Sequence, residues 1–250
     1  MAKAENPLGI TGKIQGMVIS KTKFGYVVRS AGGWISKSKI KNNPRYIKIK
    51  QINEDFGLAS RTGKRLRQAV LATFCRTKDY RISARMTQYM FKVLEQDKIN
   101  PKGKRTIAEG LKSPEGKAVM KTFNFNIDSL LENILLSSWI IDKATLEISI
   151  PDMVPAKSLS APRGATHFSI SGAVLQADFQ NNRYKMTPTN IVNSGIVQKL
   201  VPVTLTPAAK PEASGFSIIL LKIEFFKMAN NVQTPFKDGV HNSIAVIEVI

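Results

Sequence analysis

Basic and aromatic residues are concentrated in one stretch of this sequence, between Lys21 and Gln68. Phosphate groups favour closely spaced Lys and Arg side chains, and exposed aromatic rings can stack on unpaired bases. The stretch therefore predicts electrostatic, largely sequence-independent binding to nucleic acid or another polyanion. The residues predicted to make these contacts are Lys21, Lys23, Tyr26, Arg29, Trp34, Lys37, Lys39, Lys41, Arg45, Tyr46, Lys48, Lys50, Arg61, Lys64, Arg65 and Arg67.

The net charge of the whole chain points the same way. Its 250 residues carry 37 Lys and Arg against 18 Asp and Glu, a net charge of +19, and such a balance favours an anionic partner. A second interpretation stays open, in which the aromatic residues of the stretch anchor a core and its lysines only solvate a flexible loop.

The charge is unevenly distributed along the chain. Residues 1–120 hold 26 basic and 8 acidic residues, whereas residues 121–250 hold 11 and 10. This step predicts two domains, a basic hairpin-plus-helices region over 1–120 and a β-sandwich-like domain over 121–250.

No motif for catalysis or for a cofactor stands out. The segments Gly57 to Lys64 and Gly110 to Lys117 place five residues between their glycines and lack Ser or Thr after the lysine, whereas a P-loop needs four residues and a hydroxyl. One cysteine, Cys75, and two histidines, His167 and His241, are too few for a structural zinc site. We therefore expect a protein that is not an enzyme and has no cofactor.

Alternating and helical patterns predict the elements that would position the basic residues. Residues 12–20 and 24–30 are typical of a β-hairpin, and Trp34 to Pro44 has the composition of a basic loop. Apolar or small residues recur every three or four positions from Ile52 to Val70, which predicts a helix over about 51–76 with Arg61, Lys64 and Arg65 off its apolar stripe. Further helices are predicted near 80–95 and 105–111.

Beyond Pro114 the pattern changes to extended segments. Strands are predicted over residues 144–150, 167–171, 173–179, 183–186, 197–206, 216–227 and 243–250. Six or more strands separated by turn signals are typical of an antiparallel sandwich or barrel. The predicted fold class is α+β, with an N-terminal β-hairpin and two to three helices followed by this antiparallel β-sandwich or barrel.

A set of short motifs extends over most of the sequence: Gly9-x-x-Gly12-Lys13-Ile14, Val18, Gly25, Tyr26-Val27-Val28-Arg29, Asn53-x-x-Phe56-Gly57, Gly63-Lys64-x-Leu66-Arg67-x-Ala69, Pro155-Ala156 and Ala161-Pro162-x-Gly164-Ala165-Thr166-His167-Phe168. In these motifs the sequence resembles a group of uncharacterised Bacteroidota proteins of about 250 residues. The resemblance implies a glycine-rich opening hairpin before a basic helical region and a bacterial cytoplasmic setting, and it implies no activity.

Two functions follow as expectations. The first is nucleic-acid or polyanion binding by a cytoplasmic, non-enzymatic protein. The alternative is a self-assembling structural protein, a component of a particle or filament, whose N-terminal hairpin docks on a neighbouring copy because two short strands cannot stand alone in water. The N-terminus lacks the apolar core of a secretory signal and no stretch has the length of a membrane span, so no membrane partner is expected.

Overall fold

A computed structural model describes residues 2–4, 9–31, 35–74, 79–209, 215–230, 232–236 and 241–250, without the side chains of 2–4, 37, 73 and 74. The chain divides into two compact units, residues 1–50 and 51–250.

The predicted α+β class is confirmed. The helices are α1 (Lys37–Asn42), α2 (Ile47–Phe74), α3 (Ile82–Glu95), α4 (Ile107–Lys112), α5 (Pro114–Lys121), α6 (Leu131–Ile134) and α7 (Pro155–Ser158), with one 3-10 turn at Pro44–Tyr46. The strands are β1 (Ala2–Ala4), β2 (Gly12–Ile14), β3 (Met17–Thr22), β4 (Gly25–Ser30), β5 (Ile140–Ile141), β6 (Ile148–Ile150), β7 (His167–Asp178), β8 (Arg183–Gly195), β9 (Val203–Leu205), β10 (Phe216–Ala229), β11 (Val232–Pro235) and β12 (Ser243–Val249).

The N-terminal unit is built on a four-stranded antiparallel sheet in the order β1-β4-β3-β2. The predicted strand over 12–20 is wrong, because it is two strands joined by a turn at Gln15 and Gly16. Both turn residues have positive φ angles, 44° and 79°, and a two-residue turn of this hand matches the twist of paired strands. The predicted hairpin is thus part of a larger sheet.

The predicted basic loop from Trp34 to Pro44 contains a helix, α1. Its first turn is capped by Ser36, whose hydroxyl accepts a hydrogen bond from the Lys39 backbone N–H at 3.3 Å. A serine at this position satisfies a donor that the helix leaves open. The loop prediction missed this capping signal.

The second unit is organised around a five-stranded antiparallel sheet. Its order is β11-β10-β7-β8, and β10 also pairs with β12. The predicted strands at 216–227 and 243–250 are confirmed within two residues. The two strands predicted over 167–179 form one continuous strand, β7, with a register shift between Ser171 and Ala173.

Both faces of this sheet are covered, so the unit has three layers. On one face, α2 to α5 and Phe123 pack on Leu175, Leu220 and Val246. On the other face, α6 and a three-stranded sheet of order β5-β6-β9 pack on residues such as Leu221. Because β7 lies between the two layers, ten of its twelve residues are buried.

The predicted domain boundary at residue 120 does not coincide with the division of the chain. The helices between residues 51 and 121 share one hydrophobic cluster with β7, β10 and β12. Backbone hydrogen bonds tie the segment after α5 to β12, from Phe125 to Ile244 at 2.7 Å and from Val246 to Phe123 at 2.9 Å. The step in charge at residue 120 therefore marks a change of composition inside a common core.

Glycines allow the helices of this layer to pack closely. A Cβ atom at Gly110 would lie 2.1 Å from the carbonyl oxygen of Val93, and one at Gly116 would lie 1.9 Å from that of Gly110. Gly116 belongs to α5, which was not predicted because Ser113-Pro114 was interpreted as the start of the extended region. Ser113 instead caps α5 by accepting a hydrogen bond from the Gly116 N–H at 3.0 Å, and proline is favoured at the first helical position.

Candidate nucleic-acid interface

The predicted binding residues fall into both units of the chain. In the N-terminal sheet, Lys21 and Tyr26 are direct partners across β3 and β4. Arg29 is the partner of Val18 and follows Tyr26 by three positions in β4, so it lies on the opposite face of the sheet. Lys23 is exposed in the turn between the two strands. The sheet thus separates residues that the sequence places close together.

Further basic residues follow in the helical part of the N-terminal unit. Lys39 and Lys41 are exposed on α1, and Arg45 is exposed on the 3-10 turn. Together with Ser36, Ser38, Asn42, Asn43 and Pro44, Lys39 lines a shallow, open depression. Hydroxyl, amide and ammonium groups are all donors that phosphate oxygens accept from.

The start of α2 adds two exposed cations, Lys48 and Lys50. Tyr46, just before it, is half-buried, as is Tyr26 in the sheet. Stacking on bases requires an open ring face, so these tyrosines support base contacts less than the lysines support phosphate contacts. Trp34 and the Lys37 side chain lie outside the described residues.

In the second unit, the outer surface of α2 carries the remaining predicted cations. Arg61, Lys64 and Arg65 are exposed, whereas Leu66 is fully buried on the other side of the helix. This arrangement confirms the helical interpretation of their spacing. Arg67 is different, because it is half-buried and its Nε atom has no hydrogen-bond partner among the described residues.

Most of the predicted cations have no acidic partner among the residues that the structure describes. Within the described part of the chain, ten of the predicted residues have no Asp or Glu oxygen within 4.0 Å of their charged nitrogens. Residues 6–78 contain 16 Lys and Arg and only two acids, Glu54 and Asp55, and Asp55 is buried. The ten are Lys21, Lys23, Lys39, Lys41, Arg45, Lys48, Lys50, Arg61, Lys64 and Arg65.

One exposed cation was missed by the sequence analysis. Lys13 is the partner of Val18 in β2, and Val18 is in turn the partner of Arg29. Lys13 and Arg29 therefore lie in one row on the same face of the sheet. The turn at Gln15 and Gly16 was the signal that could have revealed this pairing.

Several carboxylates of the second unit accept hydrogen bonds within turns, and these hydrogen bonds lower their pKa values. The Ala144 backbone and the Thr145 hydroxyl donate to Asp142 and lower its pKa, and the side chain and backbone of Asn181 do the same for Asp178. Burial acts to raise the pKa of Asp97, but hydrogen bonds from Asn100, Thr106 and Ile99 outweigh burial and lower it. These groups stabilise local structure and lie apart in sequence from the predicted cations.

Arg65, one of the exposed cations of α2, influences the ionisation of Tyr184. Burial raises the pKa of Tyr184, while the positive charge of Arg65 opposes that rise. The Tyr184 hydroxyl is buried without a hydrogen-bond partner among the described residues. The positive charge of Arg65 thus acts on a buried hydroxyl near the start of β8.

The two histidines have ordinary surroundings. His167 shares a hydrogen bond of 3.0 Å with the Thr166 hydroxyl, and the His241 ring meets Phe236 edge to face at 5.7 Å. No group of three His, Cys, Asp or Glu residues within the described residues could hold a metal ion. Cys75 lies outside them. Among the helices described here, none is long and apolar enough to cross a bilayer.

No protein-family model, curated protein or solved structure matches this chain. The resemblance to uncharacterised Bacteroidota proteins therefore stays a prediction.

Proposed function

We propose that this protein is a non-enzymatic polyanion-binding protein that contacts the phosphate backbone of nucleic acids with little regard for sequence. The observation that carries the proposal is the set of ten exposed Lys and Arg side chains without an acidic neighbour among the described residues. An exposed cation without an acidic partner can replace a counterion that is condensed on the polyanion. A cation that already pairs with a carboxylate in the protein is less able to do so.

The arrangement of these cations favours backbone contacts over base readout. Arg61, Lys64 and Arg65 lie within about 6 Å along the α2 axis, since each helical residue rises about 1.5 Å. Three charges so close together fit the phosphate spacing of a polyanion but carry no base-specific geometry. The half-buried tyrosines Tyr26 and Tyr46 add little to base recognition, so binding is expected on duplex and single strands alike.

The test is the salt dependence of binding to duplex DNA of random sequence. If roughly five phosphates are neutralised, the slope of log affinity against log salt should be about −4.5. We expect micromolar binding at low salt. The absence of detectable binding at about 50 mM salt would overturn the proposal, because the electrostatic contribution is then largest.

Charge reversal on α2 locates the binding surface. The variant R61E/K64E/R65E should bind more weakly on every sequence, and its salt slope should be smaller by about one for each lost phosphate contact. The matched control is K157E/R163E/K199E, which makes the same change in net charge at three exposed positions of the same unit. An equal loss in the control would show that only the net charge matters and that the surface is misassigned.

The N-terminal cations need their own variant because they belong to a different unit. K39E/K41E/R45E reverses the charges around the depression on α1 and the 3-10 turn. Its expected effect is also uniform across sequences. If either variant abolishes binding while the other has no effect, the polyanion contacts only one unit.

A further inference from the structure

The four-stranded sheet of the N-terminal unit has one distinctly apolar face. Cross-strand partners lie on the same face, and residues two apart along a strand also do. The register pairs Ile14 with Met17, Ile19 with Val28 and Lys21 with Tyr26. We define the apolar face of this sheet by Ile14, Met17, Ile19, Tyr26 and Val28.

The opposite face is different in composition. It carries Lys13, Ser20 and Arg29 together with Val18 and Val27. The polar side chains on the apolar face are Lys21 and Ser30, towards opposite ends of the β3–β4 pair. The sheet is thus amphipathic, and a sheet with one apolar face needs a second layer to cover it.

No described residue of the N-terminal unit supplies that layer. None of the described side chains between residues 9 and 50 is buried. Ile14 is 40% exposed and Met17 is 46% exposed. In the second unit, by contrast, both faces of the main sheet are covered. Among the described residues of its own unit, the apolar face of the N-terminal sheet therefore has no covering layer.

We propose that the apolar face of the N-terminal sheet is a homotypic interface, on which the same face of a second copy packs to form a two-layer sandwich. The face suits a second copy because two such faces can meet around a two-fold axis with their aliphatic side chains opposed. The sheet cations Lys13 and Arg29 then remain on the outer surfaces. This interface does not depend on polyanion binding.

Other occupants fit the chemistry less well. A nucleic acid would find one cation, Lys21, on this face and no row of them. Insertion into lipid would bring the open edges of β1 and β2 towards hydrocarbon, where unpaired backbone groups are costly. Edge-to-edge docking of the hairpin, the form of assembly expected from sequence, would use outer strands of only three residues each. The face offers more contact than the edges.

The size of the face predicts a weak dimer. Strands of three to six residues, spaced about 4.8 Å apart, cover roughly 300 to 400 Å² per copy, or about 600 to 800 Å² for the two copies together. Stable complexes bury about 1,200 to 2,000 Å² over both partners, so this contact is expected to be weak and concentration-dependent. The N-terminal unit of each copy also carries 11 Lys and Arg against one acidic residue, so the two copies repel each other at low salt.

Salt should therefore act on this dimer in the direction opposite to its action on polyanion binding. Added salt screens the repulsion between copies but leaves apolar burial in place. After nuclease treatment, sedimentation of the full chain should show a dimer fraction that rises with protein concentration and with salt. A chain that is monomeric at every concentration and salt would overturn the proposal, and it would leave polyanion binding untouched.

A pair of neighbouring valines in β4 provides the decisive variants. Val28 lies on the apolar face and Val27 on the opposite face, and both are half-buried. V28E should weaken dimerisation by about tenfold or more, since it places a charge in an apolar contact, while V27E should change it by less than about twofold. A dimer that survives V28E, or an equal loss in V27E, would overturn the proposal.

A milder pair keeps the test valid if V28E disrupts the sheet, which far-ultraviolet circular dichroism would reveal. Threonine has the shape and strand preference of valine but adds a hydroxyl group. V28T is then expected to reduce the dimer fraction more than V27T at the same protein concentration and salt. Equal dimer fractions in the two threonine variants would show that this face is not the interface.

Discussion

The two units of this chain use their apolar residues in opposite ways. In residues 51–250, large side chains are fully buried in two clusters, such as Phe123 and Leu220 in one and Phe168 in the other. In residues 1–50, Met17 and Phe24 are 46% and 54% exposed. A unit of about 50 residues has little volume in which to bury a core. The comparison indicates that buried apolar area stabilises the second unit, whereas the first unit leaves large apolar side chains on its surface.

The largest effect is expected when the second unit is divided. A fragment of residues 121–250 lacks α2 to α5 and should expose the sheet face that carries Leu175, Leu220 and Val246. We expect it to lose cooperative thermal unfolding, while a fragment of residues 51–250 retains it. Calorimetry of both fragments measures this difference. Cooperative unfolding of the 121–250 fragment would restore the boundary predicted at residue 120.

The next largest effect compares one substitution in the two units. Phe123 is fully buried and packs edge to face on Tyr89 and Phe125 at centroid distances of 4.9 and 5.0 Å. Phe123→Ala should lower the free energy of unfolding by about 3 to 5 kcal/mol, because it removes buried area and leaves a cavity. Phe24→Ala should change it by less than about 0.5 kcal/mol. Urea denaturation followed by circular dichroism would measure both.

Comparable losses from Phe123→Ala and Phe24→Ala would contradict the contrast between the units. They would mean that the exposed side chains of the first unit contribute to the same cooperative transition as the buried ones. Conversely, a Phe24→Ala variant with unchanged stability but a smaller dimer fraction would assign this ring to the contact between copies.

A smaller effect concerns pH and belongs to the second unit alone. Asp97 is 2% exposed and accepts hydrogen bonds from the backbone of Asn100 and Thr106 at 2.9 and 2.8 Å. Because its pKa is lowered in the folded state, its stabilisation is fully present above about pH 4 and is lost as the pH falls through the folded pKa. Asp97→Asn should cost about 2 kcal/mol at neutral pH.

The loss from Asp97→Asn should shrink as the pH falls, since the wild-type carboxylate then becomes protonated as well. Unfolding free energies of both proteins between about pH 7 and pH 3 would show whether the two curves converge. The same substitution at the exposed Asp152 is the control and should have little effect at any pH. A constant difference across this range would show that hydrogen bonds to the ionised form are not the cause.

Periodicity predicted the regular parts of the fold well. The helix at Ile82–Glu95 and the strands at Phe216–Ala229 and Ser243–Val249 agree with the sequence analysis within two residues. Two short helices, α1 and α5, were missed, because they depend on capping by Ser36 and Ser113 and not on an apolar stripe. The layer of helices on the sheet could not be predicted, since no local pattern records which face of a strand meets which helix.

The candidate site was predictable to a similar extent. The helical spacing of Arg61, Lys64 and Arg65 was sufficient to predict their exposure. The relation of Lys21 to Arg29 was not, because the side on which a strand residue lies depends on register. Register in turn depended on the turn at Gln15 and Gly16, which was not recognised in the sequence. The apolar face could be defined only once that turn was known.

The attachment of β12 to the segment after α5 has a consequence for how the chain is made. The Asn126 side chain bonds to the Asn242 carbonyl, 116 positions away, and Ile244 and Val246 complete the helical layer of the core. On a ribosome, the helices from α2 to α5 emerge long before the strand that seals them. Contacts between such distant positions slow folding, and half-made chains with open apolar surfaces aggregate. We therefore expect nascent chains that end before β12 to need chaperones, whereas the N-terminal sheet can form as soon as its hairpins emerge.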